Sequence, residues 1–332
     1  RCLSDWSSDV CSSDLLSHSR EYPGAALATT GRDVVTRFAP SPNGELHIGH
    51  ALSALVGYEI ARRQGGRFLV RIEDIDTLRC RDEFVRSILD DLAWLGITWG
   101  EPVIRQSSRF THYVAAAERL RAMGLLYPCF ALRSEIAAAV AQRRGAGGHW
   151  PNDPDGAPHY PGLFRTCGSA EFAERHARGE PFALRLDMAK ALATLPTLLG
   201  GEPLTFVETG NGTPGHLVPA RPEQWGDVVI VRKEFPASYH LSVVIDDAHQ
   251  GVTLVTRGRD LFEATGLQRL LQVLLGLPEP RYHHHHVLLG PDGRKLSKSS
   301  GATSLKTLRA AGATPADVRR LVGMDAQLPS GA

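Results

Sequence analysis

The sequence predicts an α/β protein, a parallel sheet flanked by helices. Three observations predict it. Val34-Val35-Thr36-Arg37-Phe38 is a β-branched run, a helical stretch begins near His47, and Phe68-Leu69-Val70-Arg71-Ile72 is a second apolar run. A strand, a helix and a strand in that order form a crossover unit, and a crossover makes its two strands parallel.

The elements follow in chain order. Residues 1–31 read differently from the rest, because Ser4-Asp5, Ser7-Ser8-Asp9 and Ser12-Ser13-Asp14 repeat a polar pattern without an apolar face. They are expected to be a disordered leader or a remnant fused ahead of the true start, outside the fold. Residues 32–126 form the first half of the main domain. Its first strand ends at Pro40-Ser41-Pro42-Asn43-Gly44, where two prolines and Asn-Gly force a turn. In the helix after it, Leu52, Leu55, Val56 and Ile60 fall at helical spacing, and Gly65-Gly66 ends it. The turn therefore sits at the C-terminal edge of the sheet, where doubly wound sheets bind nucleotides. Further helices are expected over 82–96 and 113–123.

Residues 127–185 shift toward Gly, Pro, His and Arg, including Ala146-Gly147-Gly148 and Pro151-Asn152-Asp153-Pro154-Asp155-Gly156, and read as an inserted, loop-rich subdomain. The main domain resumes over 186–276, with strands expected at 227–232, 239–244 and 252–256 and a helix at 261–275. Residues 277–332 form a basic loop and a short tail, helical over 314–322 behind Thr314-Pro315.

Composition bounds the function. A chain of 332 residues that is 42% hydrophobic buries a large core, and a net charge of +1 gives no global field for a polyanion, so any nucleic-acid contact rests on local basic patches. Arg62-Arg63, Arg79/Arg81, Arg143-Arg144 and Arg257/Arg259 are candidates, although charged pairs on helices are mostly solvated faces. The five cysteines form no C-x-x-C pair, which fits a reducing cytoplasm without disulfides. No apolar run approaches the roughly 20 residues needed to span a bilayer, and no export signal is present, so Asn211-Gly212-Thr213 matches a glycosylation acceptor by accident.

Two motifs carry the chemistry. His47-Ile48-Gly49-His50 places two imidazoles on one side of a helix start, beside backbone N–H groups that favour anions. Gly49 removes a side chain where an adenine ring can pack. Alone, such a pair is more often structural, but Pro40-Ser41-Pro42-Asn43-Gly44-Glu45-Leu46 in front makes the string highly specific. Lys295-Leu296-Ser297-Lys298-Ser299, between Gly293 and Gly301, supplies mobile cations on a flexible loop. Two lysines alone would read as a solvated turn. Paired with the histidines, they suit displacement at an α-phosphate by a carboxylate, which needs charge stabilised on the phosphate oxygens and on the leaving pyrophosphate. The substrate's own carboxylate attacks, so no nucleophilic side chain is required.

On these motifs, residues 37 to about 323 resemble the glutamyl subclass of class I aminoacyl-tRNA synthetases, and within it the truncated glutamyl-Q tRNA(Asp) branch. The resemblance implies a Rossmann-like catalytic domain with an inserted subdomain. With 33 residues after Ser299, no anticodon-binding domain is expected. It implies activation of L-glutamate with ATP to glutamyl-adenylate, then transfer of the glutamyl group to queuosine in the anticodon stem-loop of tRNA(Asp). ATP is a substrate, Mg2+ is expected to bridge its phosphates, and the protein is expected to be a cytoplasmic monomer. By the family pattern, His47, His50, Lys295 and Lys298 are catalytic, and His47, Gly49, His50 and Lys298 hold ATP. Glutamate lies on Arg37, Phe38, Ala39, Pro40, Ser41, Glu73, Tyr239 and Arg257. Glu73 faces the α-ammonium, while Tyr239 and Arg257 select the side-chain carboxylate. Asp74 and Asp76 read as structural or tRNA-positioning groups, and Asp246-Asp247 is ambiguous.

Many relatives hold zinc in the insertion through Cys, Cys, Tyr and Cys. Here Cys129 and Tyr160 remain, while Ala131 and Phe164 fall where two cysteines are expected, and two ligands do not make a zinc site. No metal is expected, with Cys167 and His159 poorly spaced to substitute and the region held by packing around Tyr127, Phe130 and Phe164. His149 and His159 are then loop residues, and Tyr282-His283-His284-His285-His286 is a strand entry near the ATP pocket. Two other readings share the sequence: a truncated glutamyl-tRNA synthetase charging tRNA(Glu), and a catalytically silent RNA-binding paralogue.

Overall fold

The computed structural model describes residues 33–145, 148–210, 215–290 and 303–324. In chain order the elements are β1 (Val35–Phe38), α1 (Ile48–Arg63), β2 (Arg67–Ile72), α2 (Asp82–Trp94), β3 (Gly100–Arg105), α3 (Phe110–Ala122), β4 (Leu126–Cys129) and α4 (Arg133–Gly145). They continue with α5 (Ser169–Ala177), β5 (Ala183–Leu186), α6 (Met188–Leu198), β6 (Thr205–Glu208), β7 (His216–Pro219) and β8 (Val229–Val231). The last are α7 (Tyr239–Gln250), β9 (Leu254–Gly258), α8 (Ala264–Leu274), β10 (Arg281–His285), α9 (Leu305–Ala310) and α10 (Pro315–Leu321). The leader and both motif lysines lie outside the described residues, as does Asn211-Gly212-Thr213.

The crossover expected from the first two apolar runs is present: β1 and β2 pair in parallel, Val35 opposite Arg67, and β2 pairs in parallel with β3. A second sheet runs β7-β6-β10-β9, with β10 parallel to both neighbours and β7 antiparallel to β6. Thr253 N donates to Val35 O at 3.0 Å, which brings β1 alongside the start of β9 and joins the two sheets edge to edge. The resulting β3-β2-β1-β9-β10-β6 succession is a doubly wound arrangement, whose strand C-termini converge on one edge. Helix α1 covers one face. Leu52, Leu55, Val56 and Ile60 are all buried in a core shared with β1, β2, α2, α9 and α10, each worth about 1.5–3 kcal/mol of burial.

The segment expected as a strand at 239–244 is helical. The β-branched run Val243-Val244-Ile245 suggests a strand, but Ser238 Oγ accepts from Leu241 N and caps α7, and Gly251 at φ 65° ends it in the left-handed region. Leu241, Ser242, Val243, Val244, Asp246 and Asp247 are all buried, and the unbroken buried run over 241–244 hides the helical period. The insertion carries an antiparallel sheet, β4-β5-β8, closed by Val231 opposite Leu184. Helices α4 and α5 flank its long irregular stretch. Of residues 282–286, expected as a strand entry, 282–285 lie in β10 itself. Among the described residues, no helix is long and apolar enough to cross a membrane.

Candidate functional site

The turn after β1 is fastened to the chain leaving β2. Glu73 N donates to Pro40 O at 2.9 Å and Arg81 N to Pro42 O at 3.1 Å, so Phe38, Ala39, Pro40 and Ser41 border the C-terminal edge of the sheet together with Glu73. Phe38 and Pro40 are buried and Ser41 is exposed, with its Oγ 3.9 Å from Cys80 Sγ.

The two motif imidazoles are brought together, with ring centroids 3.8 Å apart. His47 caps α1: its Nδ1 accepts from Gly49 N at 3.1 Å, while His50 Nδ1 accepts from His47 N at 3.1 Å. A ring nitrogen that accepts a backbone N–H is unprotonated, so each neutral ring carries its proton on Nε2 and can donate from that edge. A Cβ on Gly49 would meet His47 Cε1 at 2.9 Å. The glycine is thus required by the histidine ring itself, a constraint that the adenine-packing expectation did not contain.

Beneath the turn lies a buried charge cluster. Arg37 Nε and Nη2 donate to Asp247 Oδ1 and Oδ2 at 2.9 and 3.3 Å, and Arg37 Nη1 to Thr256 O at 3.1 Å. Arg71, fully buried, donates from Nη1 to Asp247 Oδ1 at 2.8 Å and from Nη2 to Glu73 Oε1 at 3.5 Å. Burial alone would push the Asp247 carboxyl up, but Arg37 and Arg71 hold it below the ordinary carboxylate range. Glu73 goes the other way: burial raises it, and the same two arginines offset only part of that. Asp246 is structural, accepting from Arg109 Nε at 2.7 Å, Gln106 Nε2 at 2.9 Å and the Tyr113 hydroxyl at 2.8 Å. Asp74 is likewise structural, accepting from Arg105 Nε, Ser107 N and Ser107 Oγ, each at 2.8 Å.

Tyr239, the first residue of α7, completes the ring. Burial raises its phenol, Arg257 and Arg37 lower it and Glu73 raises it, so its hydroxyl lies within the fields of all three expected substrate-binding charges. Arg257 on β9 is 5% exposed. Its guanidinium donates to His284 Nε2 at 3.1 Å, Gln268 Oε1 at 2.7 Å and Thr265 Oγ1 at 2.7 Å, and among the described residues it makes no ion pair. A buried cation solvated by neutral acceptors retains its attraction for an incoming anion. The same burial removes Arg257 from the surface patches available to RNA phosphates.

The profile of the class I tRNA synthetases (E and Q), catalytic domain, matches residues 33–325. The chain belongs to this family. It is 49% identical over 298 residues to the glutamyl-Q tRNA(Asp) synthetase of Rhodobacter capsulatus, covering 88% of this chain and 100% of that one. It is 35% identical to a glutamate–tRNA ligase of Synechococcus, covering 88% of this chain but 56% of the ligase. In fold it is similar to a glutamate tRNA ligase from Elizabethkingia meningosepticum, with a TM-score of 0.68 at 24% identity, over 88% of this chain and 61% of that one. The chain therefore spans somewhat under two thirds of that solved synthetase.

Within this class I catalytic domain, the insertion does not fit zinc. Cys129 Sγ donates to Tyr160 Oη at 3.3 Å, and Tyr127, Cys129, Ala131 and Tyr160 form a small buried cluster against Ile136 and Phe164. Phe130 packs on Phe164, Phe172 and Phe182. His159 is a loop residue whose Nε2 bonds Gln224 O at 2.7 Å. Sequence reading passed over Arg71 and Glu208, left Asp247 ambiguous and took His284 only for a strand entry. For Arg71 a signal existed: a charged residue inside Phe68-Leu69-Val70-Arg71-Ile72 demands a buried counter-charge.

Proposed function

We propose that this chain activates L-glutamate with ATP and transfers the glutamyl group to queuosine in the anticodon of tRNA(Asp). The observation that carries the amino-acid assignment is the Arg257 guanidinium, buried among neutral groups, whose charge is felt at the Tyr239 phenol. The substrate's side-chain carboxylate supplies the anion this cation lacks, and Tyr239 donates to the same carboxylate. Glu73 takes the α-ammonium, whose charge favours the ionised carboxylate against its burial, and Ser41 and the Phe38-Ala39-Pro40 turn border the backbone of the substrate. Arg37 stands near the α-carboxylate, its charge balanced by Asp247.

The α-carboxylate oxygen then attacks the α-phosphorus; that O–P bond forms as the bond to pyrophosphate breaks. The Nε2 edges of His47 and His50, Gly49 and the ammonium groups of Lys295 and Lys298 stabilise the phosphate charge that develops. Magnesium accompanies the triphosphate and neutralises part of its charge; among the described residues no group of three or more His, Cys, Asp or Glu is arranged as a cage for it. In the second step the acceptor nucleoside takes the glutamyl group and AMP leaves.

The transfer assignment draws on the likeness to the Rhodobacter capsulatus protein, which extends over that protein's whole length. The likeness to glutamate–tRNA ligases supports the other acceptor, tRNA(Glu). Incubation with labelled glutamate, ATP and either queuosine-containing or queuosine-free tRNA(Asp), with tRNA(Glu) in parallel, separates the two. Label confined to queuosine-containing tRNA(Asp) is expected. Label on tRNA(Glu) instead would establish the second reading, and a parent without ATP–pyrophosphate exchange, which Lys298→Ala then leaves unchanged, would leave only the silent paralogue.

A further inference from the structure

Arg257 is not held by the sheet alone. On β6, Glu208 is buried and its Oε1 accepts from Gly210 N at 2.7 Å and His284 N at 3.0 Å, while its Oε2 takes His284 Nδ1 at 2.5 Å. A carboxylate with three N–H donors is held in its ionised form, and burial, the largest influence on it, is outweighed by these bonds. It fixes the proton of His284 on Nδ1, so Nε2 presents a lone pair. That lone pair receives Arg257 Nε–H at 3.1 Å, with Thr265 Oγ1 also 3.3 Å away. His284 is 2% exposed, with its ring parallel to that of Tyr282 and edge-on to Phe262, so it cannot turn to offer another atom. Three strands are linked in a row by this chain of side chains: β6 through Glu208, β10 through His284 and β9 through Arg257.

Guanidinium has five N–H bonds in a rigid plane. His284, Gln268 and Thr265 take three of them, one on each nitrogen, and two remain on the terminal nitrogens. One N–H on each terminal nitrogen is the complement a guanidinium needs to grip a carboxylate as a fork. We propose that Glu208 and His284 are positioning residues for amino-acid selection: by fixing an imidazole lone pair against Arg257 Nε, they set the plane in which its fork meets the substrate's side-chain carboxylate. This rests on the reading of Arg257 as the partner of that carboxylate.

Two substitutions act on the relay with different chemistry. In Glu208→Gln the amide oxygen keeps the two backbone donors, so the amide N–H₂ faces His284 Nδ1 and moves the ring proton to Nε2, against Arg257 Nε–H. In His284→Gln the amide oxygen reaches the position of Nε2 and still accepts; in His284→Leu nothing accepts.

The test is the KM for L-glutamate in ATP–pyrophosphate exchange, measured for these three variants and for Arg257→Gln, each at a temperature where circular dichroism shows it folded. A rise in KM of about tenfold or more, the size of one lost hydrogen bond to a charged group, is expected for His284→Leu and Glu208→Gln, with the KM for ATP unmoved. His284→Gln is expected to recover most of the affinity, which a role in packing alone would not give. If Arg257→Gln raises the KM and neither His284→Leu nor Glu208→Gln does, the relay is overturned and the substrate reading stands. If Arg257→Gln leaves the KM unchanged, the substrate reading fails and the relay with it. Should His284→Leu not fold, Glu208→Gln decides alone, because it keeps the volume while exchanging the carboxylate for a neutral amide that reverses the tautomer.

Discussion

Leu305 N donates to Leu46 O at 2.8 Å, and beside it His47 and Ser304 form an antiparallel bridge. The chain that emerges from the lysine motif is thus stitched to the residues that open the histidine helix. Lys306 Nζ, 3.4 Å from Glu45 Oε1, adds an exposed ion pair worth little by itself. Ser304 Oγ accepts from Thr307 N and starts α9, so the anchor is a capped helix rather than a loop end.

Leu305 is fully buried in the core shared with α1 and α2. Leu305→Ala is therefore expected to cost about 2–5 kcal/mol, measured by urea unfolding. Loosening this anchor also frees the chain that follows the lysine motif from the histidine helix, so kcat for pyrophosphate exchange is expected to fall several-fold at a temperature where the variant stays folded, with the glutamate KM unchanged. An exchange rate per folded molecule equal to that of the parent would show that the anchor does not couple the motifs.

Gly49 offers the opposite combination. Alanine within a helix is favoured over glycine by up to about 1 kcal/mol, so Gly49→Ala is not expected to melt earlier. Its Cβ would lie 2.9 Å from His47 Cε1, and the ring must move. A rise in the KM for ATP of roughly tenfold, about 1.4 kcal/mol, is expected without loss of melting temperature. Unchanged ATP kinetics would mean that the His47 ring position is irrelevant to phosphate binding.

Asp247 balances Arg37 and Arg71, so Asp247→Asn removes the anion they share and leaves Arg71 with only the longer contacts to Glu73 and Asp246. Breaking such a cluster is expected to cost about 3–5 kcal/mol. The pH dependence follows from sign. The folded-state carboxyl is depressed, so its contribution is complete above the unfolded value of about 4 and is lost as pH falls through the folded one. Denaturant unfolding between pH 3 and 7 should show the gap between parent and variant narrowing only on the acid side; a constant gap would contradict the assignment.

What the sequence concealed has a common physical cause. The crossover of β1, α1 and β2 was legible because turn signals bound each element: Pro40-Ser41-Pro42-Asn43-Gly44 precedes α1 and Gly65-Gly66 follows it, with Leu52, Leu55, Val56 and Ile60 at helical spacing between them. Helix α7 shows the apolar Ile245 and Ala248 on its half-buried side, and its Val243-Val244-Ile245 run imitates a strand. Short motifs made His47 and His50 legible, whereas Glu208 and His284 are distant in sequence and meet only because β6 and β10 are neighbours. Strand β3 begins Gly100-Glu101-Pro102, which reads as a turn, and sits at the sheet edge where proline is tolerated. Charge clusters such as Arg71 with Asp247 announce one member each and leave the partner to be found by folding.

Asp91 on α2 carries a carboxylate that the fold does not satisfy. It is 3% exposed, its Oδ2 has no hydrogen-bond partner, and burial together with Glu45 pushes it up to about 6, against the weaker pull of Arg309 and Lys306 on α9. A carboxyl raised on folding costs nothing while protonated. Its penalty grows as pH rises from the unfolded value of about 4 through the folded one, then stays constant. Asp91→Asn removes the ionisable group without changing its size. The variant should melt about 2–4 °C above the parent at pH 8, the shift given by roughly 1 kcal/mol in a domain of this class, and no higher than the parent at pH 4. Equal melting temperatures at both values would mean that a protein or solvent group already compensates the charge.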